Sequence, residues 1–156
     1  MDTADLRIVE LLQRNARTTQ SEIAKDVGLS QPAVADRIRK LEERGVLKSY
    51  VARVDAAEMG IDVTAFIGVG IEHPKFFDAF TRKVKGLDEV LECHRVAGED
   101  SYLLKVKTKN TRTLDRLLVE VLRTLPGVTR THTTIALATI KEETYVAATP
   151  GEEGES

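Results

Sequence analysis

Seven residues between positions 30 and 40 have types suited to reading duplex DNA: Ser30, Gln31, Pro32, Ala35, Arg37, Arg39 and Lys40. Ser, Gln and Arg side chains can hydrogen-bond base edges, and Arg or Lys can grip phosphates. A helix N-terminus with free amides adds a seat for a phosphate. Spacing brings these residues together. Val34, Ile38 and Leu41 recur at i, i+4, i+7 as an inward stripe. That leaves Gln31, Pro32, Ala35, Asp36 and Arg39 facing outward, with Arg37 and Lys40 on the flanks. Arg39 is the better DNA candidate. Arg37 is open between phosphate contact and a brace to Glu42 or a neighbouring acid.

The elements that must position them are also legible. Thr19 and Glu22 have the spacing of a capping box, and Ile23, Ala24 and Val27 give the helix they start an apolar side. Gly28 can take the left-handed conformation that stops a helix. Ser30 caps the next helix, Pro32 is tolerated in its first turn, and Gly45 ends it. This is the pattern of a helix-turn-helix, and double-stranded DNA is its expected partner. Leu6, Ile8, Val9, Leu11 and Leu12 predict a scaffold helix over about 2–15. Val46 to Val54 reads as a strand, a wing that becomes the connector, and 56–60 as a turn. An ordinary helical hairpin with a solvated charged face is the alternative. Caps, turn, stripe and following strand together favour DNA.

The second half changes period. Val63 to Ile71 reads as a strand. Pro74 opens a helix with Phe76, Phe77, Phe80 and Val84 on one face, a core-packing pattern. Glu89 to Ala97 and Tyr102 to Lys107 read as strands joined by a turn at 98–101. Asn110 or Thr111 caps a helix bearing Leu114, Leu117, Leu118, Val121, Leu122 and Leu125. Pro126-Gly127 breaks it, and Val128 to Ile140 is the last strand. The order βαββαβ predicts an α+β chain: a winged helix-turn-helix followed by a ferredoxin-like αβ sandwich. The predicted division is 1–50 for DNA binding, 51–60 for a connector strand and turn, 61–145 for the sandwich, and 146–156 for a disordered acidic tail. A sheet with helices on one face and apolar residues on the other needs a cover, and a second copy is the simplest one.

Composition narrows the function classes. The chain has 156 residues, 42% hydrophobic and 31% charged, with aromatics at only 4%, so its cores should be aliphatic. Net charge is −2, and residues 1–50 carry nine bases against eight acids. One copy should therefore be drawn weakly to DNA, and tight binding would need several copies on one duplex. No apolar run reaches membrane-spanning length and no signal peptide opens the chain, so a cytoplasmic, nucleoid-associated location is expected. The single cysteine, Cys93, excludes an intrachain disulfide and reads as a small buried filler. Cys93 and His94 are neighbours on a strand and point to opposite faces, so no metal site is expected. Nucleophile–base pairs and phosphate-binding glycine loops are missing, so neither catalysis nor a cofactor is expected.

In order along the chain, three segments resemble the Lrp/AsnC family of feast/famine regulators. They are Gly28-Leu-Ser30 with Val34, Arg37-Ile-Arg39, Leu41-Glu42 and Gly45-Val46; Val90-Leu-Glu-Cys93-His94 through Val96-Ala-Gly98 and Tyr102-Leu-Leu104-Lys-Val106; and Leu125-Pro-Gly-Val128 with Thr131, Thr133 and Thr134. The resemblance implies dimers formed through the αβ sandwiches, often assembled into octamers. It also implies an amino acid or related metabolite bound between dimers. The family's effector turn falls on Gly98, Glu99, Asp100, Ser101 and Tyr102, with further contacts around Thr133 and Thr134. Many members carry Asp where this chain has Ser101, which leaves Asp100 or Glu99 to meet an ammonium group. The hydroxyls of Thr133 and Thr134 could hold a carboxylate. Read from residues alone, 98–102 could equally be a plain hairpin turn. Besides a metabolite-responsive regulator, an architectural DNA-wrapping protein of low sequence specificity and a regulatory subunit of some enzyme are the competing functions.

Overall fold

The computed structural model describes residues 1–148. The predicted acidic tail lies outside the described residues from Thr149 onward. The chain forms two compact units. One is Met1–Arg53 together with the chain from Lys141 onward; the other is Val54–Ile140.

The first unit is built on three helices, α1 (Thr3–Arg14), α2 (Gln20–Val27) and α3 (Gln31–Glu43). Each start has a side-chain cap. Asp2 and Asp5 form a capping box on α1, Thr19 and Glu22 form one on α2, and Ser30 Oγ accepts from the Ala33 amide on α3. Such caps each contribute about 1 kcal/mol. Gly28 ends α2 at φ +68° and Gly45 follows α3 at φ +70°, both left-handed conformations that favour glycine. Ile8, Leu12, Ile23, Ala24, Val34 and Leu41 are buried together, an aliphatic core as the composition predicts.

Two details of this unit differ from the sequence reading. The strand expected over Val46 to Val54 does not form a ladder. Among the described residues of this unit no strand lies beside it, and its side chains bond to the helix and to the later chain: the Tyr50 hydroxyl donates to Glu42, and Arg53 pairs with Glu143 at 2.6 Å. The start of the predicted tail is also anchored. Gln13 donates its side-chain amide to the Val146 carbonyl at 2.9 Å and accepts from the Val146 amide at 2.8 Å.

The second unit is a four-stranded antiparallel sheet in the order β2-β3-β1-β4, with β1 (Val63–Ile71), β2 (Val90–Arg95), β3 (Tyr102–Thr108) and β4 (Val128–Ile135). Helix α4 (Phe77–Lys85) follows a 3₁₀ turn at Pro74–Phe76, and α5 (Thr111–Arg116) runs into a π turn at Leu117–Val121. Alternation sorts the strands. Ala65, Ile67 and Val69 of β1 and Tyr102, Leu104 and Val106 of β3 are buried with Phe80, Val84, Leu114, Leu117 and Leu122. Both helices therefore cover one face. The π turn widens the helix so that Leu117 and Leu122 both reach the core, where an uninterrupted α-helix was expected.

Other corrections follow from edges. β4 stops at Ile135 rather than Ile140, and Leu137 beyond it is fully exposed. Cys93 is exposed, not a buried filler, because β2 is an edge strand with few neighbours over it. Among the described residues, no helix is long and apolar enough to cross a membrane, and no cluster of His, Cys, Asp and Glu could hold a metal.

Candidate functional site

The outer side of α3 carries Gln31, Pro32, Arg39 and Lys40 exposed, with Ala35 and Asp36 half-exposed beside them. Ser30 is occupied as the helix cap. Arg39 and Lys40 do not stand free. Arg39 bonds Asp36 at 2.7 Å and Glu43 at 2.6 Å, and Lys40 bonds Asp36 at 2.7 Å. The bonds from Lys40 and then Arg39 hold the Asp36 carboxyl below its ordinary range. The pairs are exposed, so each contributes little to the stability of the fold.

Arg37 is built into the scaffold instead. It reaches the start of α1 and bonds both Asp2 and Asp5 at 2.7 Å. The open choice left by the sequence thus falls to the brace, with Asp2 and Asp5 as partners rather than Glu42. Arg7 makes a second brace: it bonds both oxygens of Asp26 on α2, at 2.7 and 2.9 Å, and also Glu10. Hydrogen bonds from Arg7 hold Asp26 and Glu10 below the usual carboxylate range; Asp2 is lowered first by its bond from the Asp5 amide and then by Arg37. Groups lowered on folding stabilise the folded state above their ordinary values of 3.8–4.5 and lose that contribution as pH falls through the folded ones. The helix-turn-helix unit should therefore melt progressively lower as pH drops below about 4, a trend that circular dichroism at stepped pH reads directly.

The second cluster lies on the uncovered face of the sheet. Residues 96–101 join β2 to β3, which Tyr102 opens. Tyr102 points the other way, buried in the core against Phe77 and Phe80 with ring centroids at 5.4 and 4.8 Å. Ser101 is also engaged: its amide donates to the Val69 carbonyl at 2.8 Å, and its hydroxyl accepts from the Ile71 amide at 3.1 Å. Asp100 folds down over β1. A Cβ built on Gly68 would lie 2.1 Å from an Asp100 oxygen, so only glycine leaves this seat. Arg130 of β4 lies beside it over Gly70, bonds Asp100 through Nε at 3.4 Å, and donates through Nη2 to the Glu99 carbonyl. Gly98 and Glu99 are exposed at the turn.

Thr133 and Thr134 do not act as a pair. Thr133 lies opposite Ile67, a core-face residue, and Thr134 opposite Phe66 on the uncovered face. Alternation sends them to opposite sides of β4. The residue that sequence reasoning missed is Arg130, whose guanidinium lies beside Asp100 where the threonine hydroxyls had been expected to meet a carboxylate. A signal existed. Glycines at i and i+2 in a strand, here Gly68 and Gly70, mark a place where another group approaches the backbone.

Comparison with known proteins places both halves. Residues 1–48 match a family model described as winged helix-turn-helix DNA-binding, and residues 64–146 match the Lrp/AsnC ligand binding domain. The chain is similar to the HTH-type transcriptional regulator FL11 of Pyrococcus abyssi, 34% identical over 144 residues, covering 92% of this chain and 94% of the relative. It is similar in structure to the leucine response regulatory protein of Mycobacterium tuberculosis, with TM-score 0.85 and 34% identity over 95% of this chain and all of that one. A transcriptional regulator of Neisseria meningitidis in complex with L-Met superimposes with TM-score 0.87 at 28% identity, over 94% of this chain and 96% of that one.

Proposed function

The chain belongs to the Lrp/AsnC family of transcriptional regulators, and from that premise we propose that it binds operator DNA as a homodimer or higher oligomer under the control of an amino acid or related metabolite. It is a regulator with a DNA-binding helix-turn-helix and a ligand-binding domain, not an enzyme. The observation that carries the ligand reading is the Asp100–Arg130 pair lying across Gly68 and Gly70. An α-amino acid is a zwitterion. Its ammonium can replace Arg130 at Asp100, and its carboxylate can replace Asp100 at Arg130. Both charge-assisted contacts are then kept while the ligand binds. The complex of the Neisseria regulator with L-Met supports the same ligand class.

Oligomerisation has its own support. Phe66 and Leu103 are each 39% exposed on the uncovered sheet face. A second copy would remove them from water and bring two α3 helices onto half-sites separated by whole helical turns. Ligand bound near that face would then change DNA affinity, and DNA would change ligand affinity by the same factor.

A thermal-shift screen of the proteinogenic amino acids tests the reading, because a ligand selective for the native state raises the melting midpoint. Asp100→Ala is expected to weaken the responding amino acid by about tenfold or more in calorimetry, the scale of one lost charged hydrogen bond. Unchanged affinity in that variant would remove Asp100 from the site. Light scattering of the purified protein checks the oligomer; a monomer at micromolar concentration would contradict it.

A further inference from the structure

The recognition helix is electrically self-contained. Its bases are Arg37, Arg39 and Lys40 and its acids are Asp36, Glu42 and Glu43. Arg37 is spent on Asp2 and Asp5, so only Arg39 and Lys40 remain for DNA, and both are held by Asp36. Pro32, Asp36, Arg39 and Glu43 follow one another at i, i+4, i+7 and i+11, which aligns them on the side opposite the buried Val34 and Leu41. An acid therefore sits at the centre of the surface that meets the duplex.

We propose that Asp36 is a specificity-determining residue of DNA recognition, holding Arg39 and Lys40 away from arbitrary duplexes and releasing them where a base edge offers its carboxylate a donor. The inference rests on the helix-turn-helix reading and goes beyond it. Phosphates are the same in every sequence. A carboxylate pressed among them is repelled and loses water without a partner. Binding through phosphates alone therefore strands Asp36. In the major groove the cytosine amino group is the donor that a carboxylate accepts from, and the guanine O6 and N7 acceptors suit Arg39. A site rich in G·C pairs at this position satisfies both members of the Asp36–Arg39 pair at once. A·T-rich sequence can offer only the adenine amino group, whose neighbouring N7 acceptor repels the second carboxylate oxygen.

The test compares wild type, Asp36→Ala and Asp36→Asn on two duplexes: one selected from a randomised pool against the wild type, and a shuffled duplex of the same composition. The Asp36 side chain is nearly half exposed, so neither variant disturbs the core. Asp36→Ala is expected to bind the shuffled duplex about three- to tenfold more tightly at fixed salt, with a salt slope steeper by about one. The selected duplex should gain less or lose affinity, so the ratio between the two falls by about fivefold or more. Asp36→Asn, which keeps the shape and loses the charge, should show the same gain on shuffled DNA. Equal gains on both duplexes, or no change on either, would overturn the proposal. So would a wild type that retained duplexes without enriching any sequence; a wild type that retained no duplex at all at low salt would instead remove the DNA-binding reading beneath the proposal.

Discussion

Replacing Phe80 by Ala should cost the second unit about 3–5 kcal/mol, the range for a fully buried phenylalanine. Phe80 is 1% exposed and packs on Tyr102 with ring centroids 4.8 Å apart, in a core whose other members are mostly Val, Leu and Ile. Aliphatic neighbours of that kind cannot collapse around a lost ring without leaving a cavity. The consequence reaches the proposed ligand site by a short route. Tyr102 is the residue after Ser101, and Ser101 ties the 98–102 turn to β1 through Val69 and Ile71. A Phe80→Ala protein should therefore lose its thermal response to amino acid before it loses DNA binding. The helix-turn-helix has a separate core of Ile8, Leu12, Ile23, Ala24, Val34 and Leu41. Calorimetry checks this: a transition belonging to the second unit should fall, with the other unmoved. A single transition falling as a whole would show that the two cores melt together.

Gly127→Ala is the second large effect, expected to cost about 2–5 kcal/mol from two causes acting at one atom. Gly127 has φ +83°, a conformation that side-chain-bearing residues adopt with strain. A Cβ there would also lie 2.3 Å from Cδ2 and 2.4 Å from Cγ of Phe76. The obstacle is the body of an aromatic ring rather than the tip of a flexible chain, so the ring or the backbone must move. Gly127 immediately precedes β4, and its carbonyl accepts from the Glu72 amide at 2.9 Å. Displacing it shifts the start of the strand that carries Arg130. Chemical denaturation reads the stability loss, and a reduced amino-acid response in the residual folded protein reads the shift of Arg130. A variant as stable as the wild type would mean that Phe76 swings away freely and that the turn tolerates alanine.

Much of the helix-turn-helix was legible because its signals are local. Capping side chains, a turn glycine and an i, i+4, i+7 stripe act over a few residues, and all of them fell within one element of where the structure has them. The order βαββαβ was legible for the same reason, since period 2 and period 3.6 are properties of short windows. The π turn at Leu117–Val121 was not. It is chosen by which leucines fit the core, a long-range condition. The missing strand at Val46 to Val54 failed in the opposite way: β-branched residues favour a strand, but a strand also needs a neighbour to bond with.

The functional residues divide along the same line. The sequence by itself determined that one half carries a helix-turn-helix and that the other alternates strands and helices in the order βαββαβ; the ligand domain and its turn at 98–102 came only from resemblance to the Lrp/AsnC family. Periodicity and caps suffice for the elements, because each depends only on residues close together in the chain. Tertiary structure alone decided which charges are free. Arg37 is paired with Asp2 and Asp5, more than thirty residues earlier, and Arg130 joins Asp100 from thirty residues away. Charge pairing falls off over a few ångströms of space and is indifferent to distance along the chain, so no spacing rule could have assigned either partner.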